Sequence, residues 1–505
     1  MSHDIARPPQ IATSQSAKLS RQLRLVGLTA TGVCAMVGAG INVIPFMIQR
    51  SVPGVGPYVL PAFALATLPV LLAALAYAVL ASAMPRAGGT YVYASRGLHP
   101  YLGFVASFSQ WFALCVAIGV VSYVLVPFLR DIAVTAGWQN AADVLERGPV
   151  RLTISLVVLW TAIGVNLRGI TLYERLVVPL MFLTFALGAI VIVAGFAFDH
   201  ADFAAALAAG EGRGIPDVTT STFSLGTLLT ASAVLFASFI GFDAIAQAGG
   251  EAANPGRDLP LAIALAVGSV AIFYMLFTAA VYHAVPWPYI AAEALERDLT
   301  APGLLGYLLP PFWTVLIVSA AAIALIKDLP PMLLSVSRLM FAWAEDGIFP
   351  SAVAAVHPTF RTPHIAILAS GAMATLGVIG SHLAGDFFLG VDILVTAMLV
   401  NFLLMAVTVL TLPRRNPSLA RSITVLRSPR ARAVLAAIGV IVLALYLGVH
   451  TVKDLTAPAA AWYFRSTYLW GAVLAAASVV YWREVRALKR RGVDLRDRFA
   501  QLPLD

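Results

Sequence analysis

The chain has 505 residues, of which 60% are hydrophobic and only 11% carry a formal charge. Its mean hydropathy of +0.86 excludes a soluble globular protein, because a chain of this size could not bury so much apolar surface. The net charge of +8 would suit nucleic-acid binding, but its distribution along the chain argues against that function. We therefore expect a polytopic membrane protein.

Three further features limit the possible function classes. Cys34 and Cys115 both lie in apolar segments, so no disulfide framework is expected. The polar segment 1–24 has no hydrophobic core, so we expect a tail rather than a cleaved secretory signal. The sequence has no metal-ligand spacing, nucleophile–base constellation or Walker-type loop, so we expect no metal, cofactor, catalytic residues or ATP-driven transport.

Apolar runs long enough to cross a bilayer follow one another from residue 25 to residue 482. We predict twelve spans: 25–48, 57–83, 101–129, 151–167, 173–198, 226–249, 259–284, 312–343, 363–382, 386–412, 433–450 and 466–482. With both termini on one side, that side holds 24 of the 33 Lys and Arg residues, whereas the opposite side holds eight. The positive-inside rule then places both termini in the cytoplasm and attributes the basic excess to topology, not to nucleic acid.

The first span contains several helix-weakening residues. Gly27, Gly32, Gly38 and Gly40 each cost about 1 kcal/mol relative to alanine in a helix, and Pro45 follows them. We expect a break in the helix between Gly38 and Gly40.

The sixth span repeats this pattern, with Ser238, Gly241 and Asp243 near its middle. Spans one and six hold corresponding positions in two halves of five spans, and a pair of interrupted helices in such positions predicts a transporter site at the bilayer midplane. Amides that open the outer half of span one, at Ala39 to Ile41, would face a carboxylate. Carbonyls near Ser238 to Ile240 would accept from an ammonium, so an α-amino acid matches both ends. Small-residue helix packing is the alternative reading of the glycines.

Span eight contains two adjacent charges, Lys327 and Asp328, followed by Pro330 and Pro331. Each charge costs roughly 2.5–3.5 kcal/mol at bilayer depth, which indicates a functional role. The prolines remove amide donors, so we expect the helix to be disrupted there. Neighbouring helix positions point about 100° apart, so a direct Lys327–Asp328 pair is poor geometry. We expect Asp328 to face elsewhere and consider Asp392 as another partner for Lys327.

Six motifs together resemble the amino acid–polyamine–organocation transporter superfamily. Most of them lie at span ends or in the breaks described above. In chain order they are Met36-Val-Gly-Ala-Gly-Ile41, Pro85-Arg-Ala-Gly-Gly-Thr-Tyr-Val-Tyr93, Asn166-Leu-Arg-Gly169, Phe239-Ile-Gly-Phe-Asp243, Glu251-Ala-Ala-Asn-Pro-Gly-Arg-Asp-Leu-Pro260 and Ser337-Arg-Leu-Met-Phe-Ala-Trp-Ala-Glu-Asp-Gly347. They cover residues 25–350 in the expected order.

The resemblance implies an all-α polytopic fold like that of the leucine transporter, with twelve helices in a 5+5 inverted repeat and broken helices one and six. The implied units are a cytoplasmic tail 1–24, a first repeat 25–198, a second repeat 226–412, two further helices within 433–482 and a cytoplasmic tail 483–505. By analogy, residues of spans one and six bind the substrate, with Gly241 providing the bend. These are Val37, Gly38, Ala39, Gly40, Ile41, Asn42, Phe236, Ala237, Ser238, Phe239, Ile240 and Gly241.

The sequence departs from the family pattern in the polarity of the substrate site and in the residues that would couple transport to an ion. Asn42 adds a polar side chain beside the site. Asp243 stands where related exchangers carry an acid linked to protonation and gating, although a structural acid capped by amides is equally compatible. Some proton-driven relatives carry a lysine in span five, but the corresponding position here is Thr184. In span eight the hydroxyl positions that bind sodium in relatives fall on Lys327 and Asp328, which suggests a relocated ammonium that fills the cation site.

A buried lysine can release its proton in one conformation and regain it in another. We therefore predict a cell-membrane amino acid transporter that is coupled to protons through Lys327 as a tethered cation, with an amine, polyamine or amino acid exchanger as the alternative. A permanent Lys327–Asp328 ion pair is the competing structural explanation. Glu251 and Arg257 form either a cytoplasmic gate or a plain loop contact. The expected partners are an amino acid or amine, protons and the lipid bilayer; a channel, sensor or membrane enzyme lacks support in the sequence.

Overall fold

The computed structural model describes residues 18–216, 223–384, 387–456 and 465–503. Across these ranges the chain is α-helical, and only two isolated β-bridges occur. Most of the predicted tail 1–24 and the last two residues of the tail 483–505 lie outside the described residues, as does Arg7 from the charge distribution.

The helices of the first half run from residue 25 to residue 211. They are α1 Leu25–Met36, α2 Ala39–Ser51, α3 Val59–Ala83, α4 Gly89–Gly97, α5 Pro100–Thr135, α6 Gln139–Glu146, α7 Gly148–Leu167, α8 Ile170–Ala197 and α9 His200–Glu211.

The helices of the second half begin at residue 225. They are α10 Leu225–Leu235, α11 Ala244–Gln247, α12 Pro255–Ala284, α13 Trp287–Glu296, α14 Ala301–Leu305, α15 Pro311–Glu345, α16 His364–Ala384, α17 Phe387–Arg415, α18 Pro417–Arg421, α19 Pro429–Thr456, α20 Ser466–Arg490 and α21 Leu495–Ala500.

Eleven candidate membrane spans lie within the described ranges, and they correspond to the first eleven predicted spans. The prediction of an all-α polytopic membrane protein is therefore confirmed. The predicted twelfth span, 466–482, is helical as part of α20, but α20 is less apolar and ends in a basic stretch. The count of twelve and the division into two inverted repeats remain predictions.

Spans one and six are both interrupted. In span one, α1 ends at Met36 and α2 begins at Ala39, with Gly38 at φ −120° and ψ −140° between them. In span six, a 3₁₀ turn follows α10, and Gly241 has φ +135°, which favours glycine. A Cβ atom at Gly241 would collide with the backbone of Ala35. The two breaks therefore lie against each other at the centre of the bundle.

Buried ion pairs close the bundle on the side where α1 begins, which we call the N side. Arg338 Nε donates to Glu251 Oε2 at 3.0 Å, and Arg96 Nη2 donates to Asp346 Oδ1 at 2.7 Å. The Leu23 amide also donates to the Glu251 carbonyl at 2.9 Å. Glu251 thus pairs with Arg338 rather than with Arg257, the partner that its sequence neighbourhood suggested.

Span eight is one continuous helix, α15, although Pro330 and Pro331 lie inside it. The expected disruption of that helix is therefore wrong at the level of secondary structure. The Pro330 carbonyl accepts a hydrogen bond from Asn166 Nδ2 at 3.2 Å. Support from a neighbouring helix is the usual way in which prolines are accommodated in membrane helices.

Candidate functional site

A cavity of about 110 Å³ lies where the two interrupted spans meet. Its wall includes Asp328 and the break residues Ala35, Met36, Gly38, Gly40, Ala237, Ser238, Ile240 and Gly241. The rest of the wall is apolar and comes from α2, α5, α15 and α17: Ile44, Leu114, Ala117, Val120, Val121, Met332, Gly390, Val391, Leu394 and Val395. A small cavity with an apolar wall and few polar groups is typical of a small-molecule site.

Six of the twelve predicted substrate-binding residues line this cavity, namely Gly38, Gly40, Ala237, Ser238, Ile240 and Gly241. Within the described residues, the buried Ser238 hydroxyl has no hydrogen-bond partner. Such a group ordinarily finds a partner, so a ligand or water in the cavity is its natural acceptor or donor.

Of the remaining predicted residues, those whose side chains the structure describes lie outside the cavity wall. Phe236 stacks edge-on with Phe402, and Phe239 packs against Phe63, so both aromatic side chains belong to the core. Asn42 Nδ2 donates to the Gly38 carbonyl at 3.3 Å, which ties the start of α2 to the break. Val37 and Ile41 are buried. Ala39 begins α2, and its side chain lies outside the described part of the structure.

Lys327 is fully buried, and its ammonium reaches across to the break in span one. Nζ donates to the Cys34 carbonyl at 3.2 Å, to the Val37 carbonyl and to Asp328 Oδ1 at 3.3 Å. An ammonium has three N–H donors, so these three acceptors use all of them. The carbonyls that receive the charge come from the end of α1, not from the proline region of α15. Within the described ranges, the acceptors of this ammonium do not include Asp392.

The position of the Asp328 side chain contradicts two predictions. Its carboxylate does form an ion pair with Lys327, because the flexible lysine stem can curl back toward the adjacent helix position. It also lines the cavity instead of facing elsewhere, and a Cβ atom added at Gly38 would overlap Asp328 Oδ2. The glycine therefore makes room for the carboxylate beside the break.

Thr184, the position at which the resemblance led us to look for a coupling lysine, forms a hydrogen bond within its own helix. Its hydroxyl donates to the Leu180 carbonyl of the same helix at 2.8 Å. The side chain is 7% exposed. This position in span five therefore carries no charge that could fill the cation site in place of Lys327.

Asp243 belongs to a second cluster of buried polar side chains, outside the wall of the cavity. Gln110 Nε2 donates to Asp243 Oδ2 at 2.6 Å, and Gln247 Nε2 donates to Thr90 Oγ1 at 2.6 Å. The side-chain amide of Gln110 thus caps the carboxylate, which agrees with the interpretation of Asp243 as a structural acid. A protonation role nevertheless remains a prediction.

Tyr274, on α12, connects both breaks and was not predicted. Its hydroxyl lies 2.6 Å from the Met36 carbonyl and 3.1 Å from the Ser238 carbonyl. One hydroxyl proton therefore serves two carbonyls that the breaks release from helical bonding. No signal in the sequence singles out Tyr274, because span seven also contains Tyr282 and the partners of Tyr274 are 36 and 238 residues away.

A multi-pass membrane fold with a cavity between two interrupted helices is typical of membrane transporters. Comparison of sequences gives the family. Residues 23–473 match the family described as amino acid permease, and the chain belongs to that family, within the amino acid–polyamine–organocation superfamily. Since the family and its relatives are transporters, the prediction that the chain is not an enzyme is confirmed.

Three characterised relatives illustrate the range of the family. The branched-chain amino acid permease BcaP of Bacillus subtilis is 26% identical over 81% of this chain and 85% of its own length. The human cationic amino acid transporter 4 is 27% identical over 72% of this chain, but the match covers only 56% of the human protein. The methylthioribose transporter of Bacillus subtilis is 23% identical over 82% of this chain and 86% of its own length.

Proposed function

We propose that the protein carries an amino acid across the cell membrane by alternating access, with both termini in the cytoplasm. The membership in the amino acid permease family supports the substrate class. The cavity between the two breaks supports the location of the site, because free amides at the start of α2 suit a carboxylate and nearby oxygens suit an ammonium. The proposed side of the termini rests on the distribution of Lys and Arg.

We further infer that transport is coupled to protons through Lys327. The observation that carries this inference is the contact of its ammonium with the Cys34 and Val37 carbonyls. A charge at that place holds the carbonyls at the end of α1 as a bound cation would. Loss of one proton would leave two N–H donors for three acceptors, which weakens the contact between α15 and the break.

Proton binding would thereby be linked to the relative position of spans one and eight. A protonated Lys327 stabilises the arrangement described here, and a neutral amine releases it. Asp328 opposes deprotonation, since it is the counter-ion of the ammonium at 3.3 Å. A permanent ion pair has the same contacts but predicts uptake that does not depend on pH through Lys327, so uptake measurements distinguish the two.

The test is uptake by the purified protein in proteoliposomes, first with twenty radiolabelled amino acids and then with imposed pH gradients. Wild-type protein should take up at least one amino acid faster when the outside is acidic. Lys327→Ala should remove this pH dependence, and Lys327→Arg should do the same while it retains a permanent charge.

Melting temperatures of the variants establish whether they are folded. A pH dependence that persists in a folded Lys327→Ala protein contradicts proton coupling through this residue. Severalfold stimulation of the wild-type protein by sodium contradicts the idea that the ammonium replaces a bound cation. Countertransport without any pH effect would favour the exchanger.

A further inference from the structure

We propose that Asp328 is the group that accepts the substrate ammonium and selects for it; this inference rests on the proposed transport function. Among the described residues that line the cavity, Asp328 is the one that carries a formal charge. It lies beside Gly38, directly at the break that ends α1 and begins α2.

The hydrogen bonds of Asp328 leave half of its carboxylate available. Oδ1 accepts from Lys327, whose ammonium is already shared with the Cys34 and Val37 carbonyls. Within the described part of the chain, Oδ2 has no hydrogen-bond donor and lies against Gly38. A carboxylate oxygen at a cavity wall is a strong acceptor for a primary ammonium, because charged hydrogen bonds are stronger than neutral ones.

Other acceptors near the cavity are less available. The Met36 and Ser238 carbonyls receive the Tyr274 hydroxyl, and the Cys34 and Val37 carbonyls receive Lys327. The protein itself therefore satisfies much of the backbone that the breaks release. Asp328 and the unpartnered Ser238 hydroxyl are left as the polar side chains that face a ligand.

Selectivity follows from this arrangement. A substrate without an ammonium would leave Oδ2 desolvated and would add its own negative charge beside the carboxylate. A site built to bind a donor rejects analogues that lack it. The apolar remainder of the wall, including Val120, Met332 and Leu394, suits an aliphatic side chain.

The experiment uses the amino acid with the highest uptake, its 2-hydroxy acid and its decarboxylated amine as competitors. For leucine these are 2-hydroxy-4-methylpentanoate and 3-methylbutylamine. The hydroxy acid should not inhibit uptake of the amino acid by the wild-type protein. Asp328→Asn should raise the KM for the amino acid about 10- to 100-fold, and Asp328→Glu should retain part of the affinity. Ser335→Ala, on the same helix and outside the cavity wall, should leave the KM unchanged.

Each outcome addresses one claim. A folded Asp328→Asn protein with a wild-type KM, or a hydroxy acid that competes as well as the amino acid, overturns the role of Asp328. Strong competition by the amine supports that role and favours amine exchange. Absence of uptake for every amino acid contradicts the proposed function itself, before Asp328 is tested.

The segment 495–503 packs against the closed N side. Arg96 Nε donates to the Gln501 carbonyl at 3.1 Å, and Arg86 Nε donates to the Pro503 carbonyl at 3.0 Å. Asn416 Nδ2 donates to the Ala500 carbonyl at 2.9 Å. The segment therefore connects three places in the fold: the residues after span two, helix α4 and the end of span ten.

The same segment contacts one of the buried ion pairs. The Phe499 side chain is buried, and its ring centre lies 5.2 Å from the Arg96 guanidinium carbon. Arg96 pairs with Asp346, and Arg498 donates to the neighbouring Glu345 carbonyl. We infer that this segment is a strap that restrains opening of the N side, because separation of these helices must break its contacts.

Phe499→Ala in the 505-residue protein tests the strap. We expect the initial rate of uptake to rise severalfold with little change in KM, because the closed state loses a restraint. Asp497→Ala, at an exposed position of α21, is the matched control and should behave as wild type. An unchanged or lower rate in a folded Phe499→Ala protein overturns the inference. That is the result expected if the segment only stabilises the fold and does not restrain opening.

Discussion

Replacement of Tyr274 by phenylalanine tests whether one hydroxyl holds the two breaks together. The change removes only the oxygen that lies 2.6 Å from the Met36 carbonyl and 3.1 Å from the Ser238 carbonyl. The ring remains, so no large cavity forms. Loss of the donor leaves a buried carbonyl unsatisfied, which costs about 1–3 kcal/mol. Because both carbonyls border the substrate cavity, substrate affinity should fall together with stability.

The assay is thermal unfolding of the purified protein with and without the transported amino acid, combined with uptake kinetics. Tyr282→Phe is the control, since Tyr282 lies on the same helix and donates to the Pro45 carbonyl at 2.8 Å, away from the breaks. Both variants should lose stability, but only Tyr274→Phe should raise the KM. Equal KM values for Tyr274→Phe and wild type would refute the role of this hydroxyl at the site.

Three further substitutions address the cavity, the N side and the bend. Ser238→Ala should raise the KM about 2- to 10-fold without loss of melting temperature, because its buried hydroxyl has no partner among the described residues; a lower melting temperature would contradict this. Arg338→Ala should cost about 3–5 kcal/mol by leaving Glu251 buried and unpaired, whereas Arg338→Met with Glu251→Gln should recover stability by the same measurement. Gly241→Ala should lower the yield of folded protein, because φ +135° and the Ala35 backbone both oppose a Cβ atom; normal yield in size-exclusion chromatography would argue against a fixed bend.

Much of the fold could be predicted because membrane spans and their breaks are local features of the sequence. The glycines of span one and Gly241 in span six weaken their own helices, so the positions of both breaks follow without any tertiary information. The predicted disruption at Pro330 and Pro331 was wrong for the opposite reason. A neighbouring residue, Asn166, bonds to a carbonyl there, and α15 continues.

The candidate site was predicted where it depends on backbone and missed where it depends on side-chain direction. Gly38, Gly40 and Ser238 line the cavity, as their place in the breaks suggested. Asp328 was expected to point away, because helix geometry alone separates adjacent positions by about 100°. The reach of lysine and the space beside Gly38 decide its actual direction.

The most direct test of proton coupling through Lys327 is to measure proton movement driven by the amino acid itself. Proteoliposomes with a pH-sensitive dye inside, and no imposed gradient, receive the transported amino acid from outside. The account predicts acidification of the interior with wild-type protein and none with folded Lys327→Ala protein. Amino acid uptake by wild type without any change in internal pH would contradict it.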